Sequence, residues 1–128
     1  MELVAIITIL ALLQFVFFGI QTGKMRVKHG VKAPDIIGDP EFMRMFRIHQ
    51  NTMEQLVVFI PALWIFSYYF EPTWGAGIGL IYIASRFVYF LGYLKDAGDR
   101  GKGFGIGFAT LMVLAVGSIV GAVMQMLS

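Results

Sequence analysis

Residues 3 to 23 and 103 to 128 contain no charged side chain, residues 55 to 70 contain none, and residues 72 to 94 contain only Arg86. That feature restricts the fold more than any other. About 20 consecutive apolar residues let a helix cross the roughly 30 Å hydrocarbon core of a bilayer. The runs are continuous rather than alternating, so they read as helices and not as barrel strands. Four spans are expected, at about residues 3–22, 46–69, 73–94 and 104–127, within one domain covering 1–128. The predicted fold class is an all-α integral membrane bundle of four transmembrane helices. A chain of 128 residues that is 58% hydrophobic, with mean hydropathy +0.76, is too apolar for a soluble domain of that size. The first apolar run starts at the acidic Glu2 and is followed by no small-residue cleavage site, so it reads as a retained helix rather than a signal peptide.

The ten Lys and Arg residues are unevenly spread. Lys24, Arg26, Lys28 and Lys32 lie after the first span, with Arg44 and Arg47 at the start of the second. Arg86, Lys95, Arg100 and Lys102 cluster around the end of the third. The loops after spans 1 and 3 share one side, and the excess of cations places both in the cytoplasm. The turn Glu71 to Gly75 has no Lys or Arg and is expected outside, with both termini. The chain fits a bacterial inner membrane or an internal eukaryotic one, and its compactness and short termini favour the bacterial location. Residues 23–40 read as a loop ending at Asp39 or Pro40, which suit a helix start. Pro61 removes an intrahelical hydrogen bond and is expected to kink the second helix. The glycines from Gly101 to Gly107 lack the order of a phosphate loop. They read, like Gly75/Gly79 and Gly117/Gly121, as sites of close helix packing.

Two polar stripes are candidates for chemistry. Arg44, Arg47, Asn51 and Glu54 follow helical spacing along one face of the second span. Tyr82, Arg86, Tyr89 and Tyr93 do the same on the third, with Arg100 beyond its end. Charged groups in a membrane helix are costly and turn toward a bundle interior or a wet cavity. One reading is a buried network in which Arg47 pairs with Glu54 or Asn51; Arg86 also needs an anionic partner, which Glu54 or a bound carboxylate would supply. The other is a site for a small zwitterion: guanidiniums take carboxylates bidentately, and a glutamate takes an ammonium. Cysteine is absent, so any sulfur chemistry must use a thiol carried by a small molecule. His29 and His49 stand alone in the sequence, without metal-ligand spacing, and Ser85 has no nearby base. No metal and no nucleic-acid partner is expected.

The segment Glu41 to Pro61, EFMRMFRIHQNTMEQLVVFIP, resembles a signature of the membrane-associated proteins in eicosanoid and glutathione metabolism, the MAPEG family. Arg86 to Tyr93, followed by Arg100, resembles the family's second signature, and Gly23 to Lys28 with Pro34 its first loop. The likeness covers nearly the whole chain and is nearest to the microsomal glutathione transferase and leukotriene C synthase branch. It implies a homotrimer binding glutathione between neighbouring subunits, near the cytoplasmic face. Carried over by position, Arg26, Arg47, Asn51, Glu54, Arg86, Tyr89 and Tyr93 would bind glutathione. Arg100 would be catalytic and hold the thiolate. The implied function is conjugation of glutathione to hydrophobic electrophiles drawn from membrane lipid, with glutathione-dependent reduction of lipid hydroperoxides as a second activity. The alternative is a non-enzymatic lipid-binding protein of the lipoxygenase-activating type. Two positions depart from the pattern: Val27, where leukotriene C synthase has a second Arg, and Gln55, where several members carry an aromatic residue.

Overall fold

A computed structural model describes residues 1–96, 98 and 101–128. Among the described residues there are four α-helices: α1 (Glu2–His29), α2 (Pro40–Tyr69), α3 (Pro72–Lys95) and α4 (Gly101–Leu127). Helices α2 and α3 pack on each other and on both remaining helices, whereas α1 and α4 scarcely meet. The apolar core runs along this central pair. Phe59, Leu63 and Tyr82 are fully buried between Val4, Ile7 and Ala11 of α1 and Leu111 and Leu114 of α4. A second cluster near the basic end joins Phe18, Met45, Ile48, Tyr89, Phe90 and Tyr93.

The outward faces are as apolar as the inward ones. Leu3, Ile6, Leu10, Leu13 and Val16 line the exposed side of α1, and Val113, Val116, Ile119, Val120 and Val123 that of α4. A helix hydrophobic all round needs a hydrophobic surrounding. Three helices, α1, α3 and α4, are long and apolar enough to cross a membrane. This chain is an integral membrane protein. Helix α2 has 30 residues, but its first half carries Arg44, Arg47, Asn51 and Glu54, which keeps it out of that set despite its length.

The loop expected over 23–40 is shorter than its charges suggest. Helix α1 continues through Lys24, Arg26 and Lys28 to His29, because cations favour the negative end of the helix dipole. It stops at Gly30, whose left-handed φ of 68° a side chain would disfavour, and Val31 N–H donates to the Arg26 carbonyl at 3.0 Å. Helix α2 starts as its residues predict. The Asp39 side chain accepts the Glu41 N–H at 2.8 Å, and Pro40 occupies the first helical position. The helix then passes through Pro61 to Tyr69 without interruption.

Glycine lets α4 lie directly on α3. A Cβ on Gly103 would come within 2.6 Å of the Tyr89 Cα and 2.8 Å of the Ser85 carbonyl oxygen, and backbone cannot retreat. This contact sets the spacing of α3 and α4 where the site lies.

Candidate functional site

A cavity of about 370 Å³ opens between α2, α3 and the first turn of α4, within the roughly 300–1,000 Å³ usual for small-molecule sites. Its walls are Arg47, Gln50, Asn51 and Glu54 of α2, Tyr89 and Tyr93 of α3, and Gly101 and Phe104 of α4. Helical spacing aligns the α2 residues on one face, and Tyr89 and Tyr93 lie one turn apart opposite them.

The internal ion pair offered as one reading does not form. Neither Arg47 nor Glu54 is paired with a described residue. Both charges remain available on the cavity wall. Arg44 leaves the stripe: its Nε donates to the Leu94 carbonyl at 3.1 Å, tying α2 to the last turn of α3.

Arg86 lies behind the cavity, not in its lining. It is 0% exposed and is the largest fully buried side chain. Its Nη1 donates to Gln55 Oε1 (3.1 Å), and its Nη2 donates to Asn51 Oδ1 (3.0 Å) and Thr52 Oγ1 (2.8 Å). The guanidinium carbon sits 4.2 Å from the centroid of the Tyr89 ring, a cation–π contact. Glu54, one of the two anionic partners expected for Arg86, does not meet it; neutral acceptors and a ring face surround the guanidinium instead.

Arg26 lies elsewhere in the chain. Its Nη1 donates to the Asp35 carbonyl at 2.7 Å, and its guanidinium lies 4.8 Å from the centroid of the Phe42 ring. Arg100 lies outside the described residues. Among the seven binding positions read from sequence, Arg47, Asn51, Glu54, Tyr89 and Tyr93 share the cavity, and Arg26 and Arg86 do not line it.

Sequence reasoning passed over Gln50, Gly101 and Phe104. Gln50 precedes Glu54 by four residues, so the helical spacing already carried that signal. Phe104 carried none, since it reads as one more apolar residue of α4 until the fold lays it near Tyr89, with ring centroids 6.3 Å apart. His49 turns away from the cavity to pack on Phe15 of α1, centroids 4.6 Å apart, over the space left by Gly19.

The fold also corrects the solitary reading of His29. Its Nε2 lies 2.8 Å from Glu41 Oε1, and its Nδ1 lies 3.4 Å from Asp39 Oδ2. Lys28 Nζ joins the same Glu41 oxygen at 3.1 Å. The two ring nitrogens face carboxylates at the start of α2, so the group clamps α1 to α2. His29, then Lys28, hydrogen-bond Glu41 and hold its carboxyl below the usual carboxylate range.

Known proteins resemble this chain along most of its length. The chain matches the MAPEG family over residues 4–120. It is 37% identical over 122 residues to an uncharacterised protein of Synechocystis, covering 95% of this chain and 89% of that one. It is 39% identical over 119 residues to microsomal glutathione S-transferase 2 of Bos taurus, covering 93% and 82%. To leukotriene C4 synthase of Cavia porcellus it is 36% identical over 95 residues, covering 74% and 63%. A match running from the first turn of α1 deep into α4, on an integral membrane helical bundle, makes this chain a member of the MAPEG family.

Proposed function

We propose that the chain is a membrane glutathione transferase, joining the glutathione thiolate to hydrophobic electrophiles. The observation that carries this reading is the cavity wall on which Arg47 and Glu54 keep opposite charges unpaired with any described residue, with Asn51 between them. Glutathione has two carboxylates and one ammonium. Arg47 suits a carboxylate, Glu54 the ammonium, and the amides of Asn51 and Gln50 suit peptide groups. Tyr89 and Tyr93 form the facing wall, and Phe104 offers an apolar edge toward lipid. The relatives named as glutathione transferases and leukotriene C4 synthase support this class of activity.

The chemistry would follow from the ligand's own sulfur. A free thiol has a pKa of about 8.5, so a few per cent is ionised at neutral pH. Arg100, carried over by position, is the cation proposed to favour the thiolate. The thiol proton leaves to water, the sulfur forms a bond to the electrophilic carbon, and the displaced group departs with its electron pair. Hydroperoxide reduction would consume two glutathiones, giving the disulfide, an alcohol and water.

A homotrimer would complete the site. Arg26 sits outside the subunit's own cavity, which suits a residue contributed across a subunit boundary. The single domain 1–128, both basic loops in the cytoplasm and a bacterial inner membrane belong to the same proposal, the last supported by the Synechocystis relative. The test is conjugation of a chlorinated nitrobenzene by protein in lipid vesicles, with and without glutathione. The expected result is product formation well above the rate of glutathione alone. A rate equal to that of glutathione alone would overturn the activity.

A further inference from the structure

We propose that Gln55 is a positioning residue for this pocket, acting through Arg86 to aim the Asn51 amide at the ligand. The inference rests on reading the cavity as the glutathione site. A buried cation in a membrane helix must find acceptors, and among the described residues Arg86 meets no carboxylate: neutral oxygens take its two terminal nitrogens, while its buried Nε has no partner there. Its acceptors come from α2 at positions 51, 52 and 55. The Thr52 hydroxyl donates to the Ile48 carbonyl at 2.7 Å, which leaves its oxygen to accept from Arg86 at 2.8 Å. Gln55 Oε1 takes the other terminal nitrogen at 3.1 Å and fixes the rotation of the guanidinium plane.

That plane in turn fixes Asn51. A guanidinium only donates, so the amide must turn its oxygen toward it, here at 3.0 Å. Asn51 lines the cavity and Arg86 does not. The atom left to face the ligand is therefore the amide nitrogen, a donor suited to a carboxylate or a peptide carbonyl. Reversing the amide would set donor against donor. Gln55 is buried, 8% exposed, and is outside the cavity lining, so it touches no ligand. Helix α4 closes over it at Gly107, where an added Cβ would lie 3.8 Å from Gln55 Oε1 and 3.9 Å from Arg86 Cδ.

The test is isothermal titration of the full detergent-solubilised chain with glutathione. Gln55→Leu keeps bulk and removes the acceptor, and should weaken binding about tenfold, the scale of one lost hydrogen bond to a charged group. Gln55→Glu, which still accepts from Arg86, should restore it. In an Asn51→Ala background Gln55→Leu should cost nothing more, because both act through one group. A packing role predicts the opposite pattern: Leu tolerated, and any loss additive with Asn51→Ala. Should Gln55→Leu not fold, Thr52→Val removes a second acceptor of Arg86 and is read the same way. Parent-like affinity in the folded variant overturns the positioning role and leaves the pocket standing. A parent that binds no glutathione overturns both.

Discussion

Arg47 and Glu54 stand two turns apart on α2, and neither charge is neutralised by a described neighbour. Their removal should therefore be felt by the ligand more than by the fold. Arg47→Ala and Glu54→Ala should each weaken glutathione binding by about ten- to a hundredfold, since a hydrogen bond to a charged group contributes roughly 1.5–3 kcal/mol. Calorimetric titration of variants that keep the parent's helicity checks this, and unchanged affinity would move the site elsewhere. Arg100→Ala should spare binding and slow conjugation at neutral pH. Loss of the cation raises the bound thiol's pKa toward its ordinary value, so the rate should partly recover in alkali. A pH–rate profile identical to the parent's would assign sulfur activation to another group. At this scale the sequence was informative wherever a site fits on one helix. The spacing of Arg47, Asn51 and Glu54 puts them on one face whatever surrounds them. The acceptors of Arg86 lie 31 to 35 residues away on α2, and only the packing of α2 against α3 decides which of them it meets.

The helices themselves were legible because apolar length and helix-end chemistry are local. Asp39 and Pro40 mark the start of α2 in sequence and in space. The end of α1 was harder to read, since a run of Lys and Arg suits both a loop and the last turn of a helix; Gly30 decides it. The α1–α2 junction carries a pH prediction. Glu41 has a depressed pKa in the fold, so its contribution is present at neutral pH and is lost as the pH falls through that depressed value. Amide exchange over residues 30–39, corrected for the intrinsic rate, should quicken on acidification into and below the carboxylate range. Equal protection at both pH values would contradict the clamp. The α3–α4 contact carries a steric one. Gly103→Ala should push α4 off the Tyr89 backbone and displace the neighbouring Phe104. Overpacking of this kind costs about 1–3 kcal/mol, which a lowered melting temperature with weakened glutathione binding would register. A parent-like variant would mean the two helices have room to part.

On the scale of the molecule, α1 and α4 keep apolar outward faces and Arg26 lies away from the cavity. Lipid or neighbouring copies must cover the first, and a neighbouring copy is the proposed route by which Arg26 reaches a ligand. Hydropathy speaks to the bilayer but not to which helices meet across a subunit boundary, because lipid and protein neighbours select the same apolar residues. The proposed function requires this cavity to hold glutathione with its sulfur ionised. It is tested most directly by the ultraviolet absorbance of the thiolate when glutathione is titrated into the detergent-solubilised chain at neutral pH. The expected result is a saturable thiolate signal far above that of free glutathione, diminished in Arg100→Ala and shifted to higher glutathione concentration in Arg47→Ala. Absorbance equal to that of free glutathione at every concentration would contradict it.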